Sequence, residues 1–205
     1  MGRINGGHSM IQNKLLGVID MQNDFLFGTL ANKAGVAIIP QMMDEIRQYR
    51  EEGNTVIFTR DTHDENYLET EEGKNLPVPH CIKGTKGWEI TDYLKEFITA
   101  DTKVFDKSTF GSSKLFNYLA YLRESGHVFD EIKLVGVCTD ICVIANAIIA
   151  KTACPNTHIV VDASLCAGVT PESHEIALKA MEALHIEVIH KGEEIWKHID
   201  LTHIQ

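Results

Sequence analysis

The apolar positions of this chain fall into short runs that switch between a strand-like and a helix-like spacing. Residues 15–19 form an apolar run that ends in Asp20, and residues 55–59 form a β-branched run that ends at Arg60-Asp61. Both read as buried strands. Between them Ile38, Ile39, Met42, Met43, Ile46 and Tyr49 recur at a helical period over residues 36–49, and Gly53-Asn54 stops that helix. Residues 61–87 are irregular and charged and carry Pro77 and Pro79. A connection that long inside one domain is usually functional or disordered. The spacing then predicts a helix over residues 88–98, a strand over 102–105, a Ser/Gly turn and a helix over 112–124. A strand over 132–137 runs into a tight turn and a helix reaching about residue 152, with Cys142 in its first turn. Strands over 157–161 and 186–189 complete a set of six. Pro171 opens the helix between them, with Thr170 as its N-cap, and a short terminal helix follows the last strand.

Six short apolar strands alternating with helices predict an α/β fold, a three-layer α/β/α arrangement around a six-stranded parallel sheet of Rossmann-like type. A chain of 205 residues is long enough for one full core. The polar, Gly-rich residues 1–9 resemble a vector-derived or disordered leader with Met10 as the natural start, so a single domain is expected over residues 10–205. A formal charge of −10 argues against nucleic acid or an anionic membrane as the main partner. Nothing approaches the ~20 apolar residues of a membrane span. Cys81, Cys138, Cys142, Cys154 and Cys166 form an odd set with no disulfide-like framework, which fits reduced thiols in a cytoplasmic protein.

In open parallel sheets, ligands bind beyond the carboxyl ends of the strands. There the first strand delivers Asp20, the second Asp61 and His63, the third Asp106 and Lys107, and the fourth Cys142. A cysteine in the first turn of a helix meets free backbone N–H groups that favour thiolate and can also hold an oxyanion. Its chemistry needs a base, for which Asp20 is the candidate, and a cation to keep acid and thiolate poised, for which Lys107 is the candidate. Each residue taken singly has a structural alternative: a buried apolar thiol, a turn-forming Asp, a solvated Lys. Asp61 and His63, two apart in an extended segment, point the same way and can chelate one ion, with His80 closing the site. Two imidazoles and one carboxylate suit Zn²⁺, or Fe²⁺ or Mn²⁺, with coordination positions left open. Phe25, Phe110 and Trp88 are candidates to wall a flat aromatic ligand, with core packing the preferred reading for Trp88. Cys81, Cys154 and Cys166 read as structural. His127, His158, His174, His185, His190 and His198 read as surface or internally satisfied histidines, and Gly136 as a close-packing residue.

Three segments in order resemble the isochorismatase-like cysteine hydrolases, particularly the nicotinamidases. They are Val18-Ile19-Asp20-Met21-Gln22-Asn23-Asp24-Phe25, Lys107-Ser108-Thr109-Phe110-Gly111, and Gly136-Val137-Cys138-Thr139-Asp140-Ile141-Cys142-Val143. The resemblance implies an Asp20–Lys107–Cys142 triad, a non-proline cis peptide at Val137–Cys138, and an oxyanion hole from the backbone N–H groups of Cys138 and Cys142. It also implies a metal on Asp61, His63 and His80 that orients a pyridine ring, with Phe25 and Phe110 at pocket positions. A fourth protein ligand falls by spacing on Glu72, with Glu69 and Glu71 behind it, and waters are the alternative. Thr62 and Asp64 depart from the aromatic and the proline that many nicotinamidases carry there. The activity implied is cleavage of a small carboxamide, nicotinamide foremost, to its acid and ammonia through a thioester, by a homo-oligomer. The alternatives are an N-carbamoyl or ureido amidohydrolase of the same superfamily, and a non-catalytic small-molecule binder.

Overall fold

Six parallel strands order as β3-β2-β1-β4-β5-β6. They are β1 (Lys14–Ile19), β2 (Thr55–Asp61), β3 (Lys103–Lys107), β4 (Glu131–Val137), β5 (His158–Ala167) and β6 (Glu187–Ile189). The structure, a computed structural model, describes residues 13–204. The leader expected over residues 1–9 lies outside the described residues. The helices are α1 (Asn23–Leu26), α2 (Lys33–Ala37), α3 (Ile39–Glu51), α4 (Glu71–Asn75), α5 (Ser113–Glu124), α6 (Ile144–Ala153) and α7 (Pro171–Ala183). None of the described helices is long and apolar enough to cross a membrane.

The period of two along β1 explains the three layers. Leu15 and Ile19 face a core shared with α5, α6 and α7, whereas Leu16 and Val18 face one shared with α2 and α3. The helix ends are capped as the sequence indicates. Ser112 accepts from the Leu115 N–H at 3.1 Å, and Thr170 forms a capping box with Ser173 ahead of Pro171.

Four expectations are corrected. Residues 88–98 do not form a helix: Ile90 bridges Gln22 as a strand would, the Thr91 N–H donates to the Met21 carbonyl at 2.9 Å, and only Asp92–Phe97 winds into a 3₁₀ turn. β5 runs to Ala167, past residue 161, because the polar Asp162 and Ser164 that interrupt its apolar run satisfy each other at 2.7 Å. The terminal helix is two 3₁₀ turns, Ile195–Lys197 and Leu201–His203. Finally, Cys142 sits in a π-helical turn, Thr139–Val143, and α6 begins only after it. The N–H groups of Ile141 and Val143 both converge on the Cys138 carbonyl, each at 3.1 Å, which widens that turn.

Candidate active site

Asp20 is the first residue beyond β1 and is fully buried in a left-handed conformation with φ 49°, which Asp tolerates better than most residues. Thr59 secures it on both sides: the Asp20 N–H donates to Thr59 Oγ1 at 3.2 Å, and the Thr59 hydroxyl donates back to Asp20 Oδ1 at 2.7 Å. Asp20 Oδ2 faces Lys107 Nζ at 2.7 Å. Gly136, beside Ile19 on β4, has φ +123°, and a Cβ there would lie 2.2 Å from the Ile19 carbonyl oxygen. Only glycine lets β4 approach the end of β1 this closely, which makes Gly136 the close-packing residue expected.

Lys107, at the end of β3, is the junction of the site. Besides Asp20, its Nζ lies 3.4 Å from Cys142 Sγ and 3.3 Å from Asp61 Oδ1. Burial alone would lower its pKa, but its acidic neighbours, Asp20 first and then Cys142 and Asp61, raise it, so it stays an ammonium. Burial raises the Asp20 carboxyl above its ordinary value, against the opposing pull of Lys107.

Two influences act on the Cys142 thiol in opposite senses: the N–H groups of its turn favour thiolate, and burial opposes it. Burial, reinforced by Asp20, holds the Cys142 thiol well above its ordinary pKa despite Lys107. Cys138 follows a cis peptide from Val137, as the resemblance implies, and burial pushes its thiol up to about 12. Cys81, Cys154 and Cys166 are likewise buried thiols raised by desolvation, and all five cysteines are unpaired.

Asp61, His63, Glu72 and His80 converge so that one donor atom from each lies within 4.8 Å of all the others. His63 Nε2 and His80 Nε2 lie 3.0 and 3.4 Å from Asp61 Oδ2, and both lie 3.6 Å from Glu72 Oε1. Glu72, carried by α4 in the long loop, is therefore the carboxylate that joins the set. The chemistry of the donors fits a divalent transition ion. His80 Nδ1–H donates to the Val78 carbonyl at 2.8 Å, which leaves Nε2 of the neutral ring with its lone pair aimed at two carboxylates. That arrangement calls for a cation between them. Asp61 and Glu72 accordingly raise the His80 pKa against its burial.

The cavity above these groups holds about 580 Å³ and is lined by Cys142, Cys138, Asp61, Glu72, His80, Phe25 and Phe110, among others. Phe25 tilts against the His80 ring, with centroids 5.5 Å apart, while Phe110 is 49% exposed at the mouth. Trp88 is not on the cavity: it stacks beneath the Arg60 guanidinium at 3.5 Å and donates to Thr62 Oγ1 at 2.8 Å. Asp20 and Lys107 lie behind the cysteine, closed to solvent.

The sequence assigns no role to several residues that hold this geometry, although Gln22 and Asp24 lie within the first of the resembling segments. Gln22, fully buried, accepts from the Asp61 N–H at 2.7 Å and donates to the Asp61 carbonyl at 2.8 Å, which fixes the metal-site strand end to the start of α1. Asp24 Oδ2 accepts from the Cys81 N–H at 2.8 Å, next to His80. Tyr67 packs edge-on to both His63 and His80, at 4.7 and 5.0 Å. Asn146 on α6 donates to the carbonyls of Cys142 and Phe110 at 2.8 and 3.1 Å, tying the cysteine turn to the pocket mouth.

The chain resembles known proteins over most of its length. A family profile described as the isochorismatase domain matches residues 14–193. The chain is 29% identical to a nicotinamidase/pyrazinamidase of Mycobacterium tuberculosis, over 84% of this chain and 96% of that one. It is also 29% identical to a probable inactive nicotinamidase of Arabidopsis thaliana, over 89% and 96% of the two chains. Among solved structures, the pyrazinamidase of Pyrococcus horikoshii in complex with zinc superposes with a TM-score of 0.73 at 28% identity, covering 86% of this chain and 98% of that one.

Proposed function

We propose that this chain, which belongs to the isochorismatase family, is a cysteine amidohydrolase that cleaves a small carboxamide, nicotinamide foremost, to the acid and ammonia. The observation that carries the reading is Lys107, whose single ammonium touches Asp20, Cys142 and Asp61 and so joins an acid–thiol pair to the Asp/His/Glu/His cluster. An inert structural cysteine has no use for a buried carboxylate and a buried ammonium in its own contact shell. The nicotinamidase and pyrazinamidase relatives support a ring carboxamide as substrate.

In this reading Asp20 takes the thiol proton, and Cys142 Sγ adds to the carboxamide carbon while the C=O electrons move to oxygen. The backbone N–H groups of Cys138 and Cys142 receive that oxyanion. The C–N bond then breaks, Asp20 delivers its proton to the departing nitrogen, and ammonia leaves a thioester. Asp20 next deprotonates water, which adds to the thioester. The C–S bond breaks, sulfur recovers a proton, and the acid departs. Throughout, Lys107 offsets whichever of Asp20 and Cys142 carries the negative charge. Asp61, His63, Glu72 and His80 would hold a divalent ion, zinc foremost, which when bound supplies a Lewis-acid contact for a ring nitrogen. Phe25 and Phe110 present flat faces to the ring.

An ammonia-release assay with nicotinamide, pyrazinamide and N-carbamoyl amino acids tests the substrate class. Turnover of the ring carboxamides is expected. Release from the carbamoyl acids alone would overturn the reading of the substrate, and release from none would overturn the enzyme.

A further inference from the structure

We propose that His174, acting through the Thr139 hydroxyl, is a positioning residue for the turn that presents Cys142. The proposal rests on Cys142 being the nucleophile, and it concerns a buried network that the steps above leave unused. Thr139 opens the π-helical turn three residues before Cys142, and His174 sits in the first part of α7. Thr139, His174 and Glu194 are all fully buried. His174 Nδ1 lies 2.8 Å from Thr139 Oγ1, and His174 Nε2 lies 3.1 Å from Glu194 Oε1.

The direction of every hydrogen in this chain follows from its far end. Glu194 receives the Gly192 N–H at 2.9 Å and the Lys197 ammonium at 3.0 Å, both on Oε2. Despite its burial, its own backbone N–H, His174 and Lys197 hold it below its usual pKa, so it is a carboxylate and can only accept. His174 Nε2 must therefore carry the hydrogen. Burial holds the imidazole neutral, below its usual pKa, so Nδ1 is bare and can only accept in turn. Thr139 is thus left as the donor, its hydroxyl committed to His174. A threonine hydroxyl at the start of a helical turn otherwise competes for nearby backbone groups, and here that competition is removed where the sulfur's aim is set.

The same network reaches the pocket wall. The Trp196 ring meets His174 edge-on at 5.1 Å, its Nε1–H donates to the Cys166 carbonyl at 2.9 Å, and its ring lines the cavity. A second tie from the same turn, Asp140 Oδ1 accepting the Val169 N–H at 3.0 Å, fastens it to the loop ahead of α7. The cysteine turn is therefore held from the α7 side by Thr139, His174 and Glu194, none of which lines the cavity or belongs to the metal site. Such pre-organisation acts on the transition state more than on substrate binding.

The test compares Thr139→Val, which keeps shape and removes the donor, with Thr139→Ser, which keeps the donor. Thr139→Val is expected to lower kcat about tenfold at unchanged KM, and Thr139→Ser to recover most of it. His174→Gln, which offers an amide N–H toward Glu194 but no acceptor at the Nδ1 position, should fall like Thr139→Val. The double variant should fall no further. Alkylation of Cys142 by iodoacetamide, in which sulfur displaces iodide, should slow in parallel when read by peptide mass spectrometry. That readout decides the matter even if no carboxamide is turned over. ¹⁵N NMR of the imidazole should show the Nε2–H tautomer. Wild-type kcat and alkylation in Thr139→Val, or a change confined to thermal stability, would overturn the proposal, as would an Nδ1–H ring. If His174→Gln does not fold, the Val and Ser pair at position 139 carries the decision alone.

Discussion

Lys107 Nζ stands 2.7 Å from Asp20 Oδ2, and the two side chains are 1% and 0% exposed. Two charges removed from water are tolerated only as a pair, because either one left alone carries its whole desolvation cost. Lys107→Met keeps the length of the side chain and removes the charge. Asp20 is then left facing sulfur and Asp61 without a cation, and it holds its proton at neutral pH. We expect ammonia release to fall by about 10³-fold, in the range lost with a general base. Stability should fall by about 3 kcal/mol, as when one partner of a buried pair is removed. Steady-state assays and urea titration check both, and a variant retaining a tenth of wild-type turnover would remove Lys107 from the mechanism.

The two cysteines of the turn should separate cleanly. Cys142→Ala removes the sulfur that faces Lys107 at 3.4 Å and should abolish ammonia release with the far-ultraviolet circular dichroism unchanged. Cys138→Ala keeps the backbone N–H proposed for the oxyanion and discards only a thiol that burial pushes up to about 12. Its turnover should stay within about threefold of wild type, the range of a modest core change at a site using only the backbone. Equal losses in the two variants would mean that the Cys138 side chain takes part.

The pH dependence follows from Asp20. Burial raises its carboxyl in the folded protein, with Lys107 opposing. As the base it works only when ionised, so activity rises as pH climbs through the raised value. The acid limb of kcat/KM should therefore lie above the ~3.9 of an unperturbed aspartate. The stability term has the opposite sense. A carboxyl raised on folding contributes stability that is fully present below its unfolded pKa and lost as pH rises through its folded one. Over that interval the enzyme gains activity while this group's contribution to stability declines. Rate profiles and denaturation curves on the same buffers would show the two trends crossing, and an acid limb at or below ~3.9 would contradict the assignment.

What could be read ahead of the structure depended on how local the signal was. β1 and β2 are legible because an apolar run ends abruptly in a charged residue, and the rule for open parallel sheets sends Asp20, Asp61, Lys107 and Cys142 to one edge. The roles of Thr59 and Gln22 are not legible. Each is one polar residue, its partners are 39 positions away, and only the β1–β2 register brings them together. The helix expected over residues 88–98 fails for a similar reason: the strand-like bridge from Ile90 to Gln22 competes with a local period that looks helical. The upward pull of burial on the Cys142 thiol is not legible either, because burial is a property of the closed fold, whereas the turn that favours thiolate shows in the sequence. His174 illustrates the other side. Read as a satisfied histidine, it is one, but what satisfies it is the turn that carries the cysteine.

The Asp61, His63, Glu72 and His80 cluster makes a prediction that does not depend on turnover. His80 is oriented by its Nδ1–H bond to the Val78 carbonyl, so its Nε2 is committed to the cluster, 3.4 Å from Asp61 and 3.6 Å from Glu72. Removing an imidazole so fixed takes away a neutral donor and leaves two carboxylates that repel each other, so the loss of metal should exceed the roughly 10–100-fold typical of outer-shell changes. Purified wild-type protein should carry about one transition-metal ion per chain by elemental analysis, in line with a three- or four-ligand site. His80→Ala should carry almost none after dialysis. Glu72→Gln keeps an oxygen donor but drops a charge, so it should bind more weakly than wild type and more tightly than His80→Ala. The neutral amide also removes the repulsion on Asp61, so the apo form of this variant should be at least as resistant to urea as the apo wild type. If instead Glu72→Gln held metal as tightly as wild type, water would be the fourth ligand, and α4 would serve the cavity wall alone.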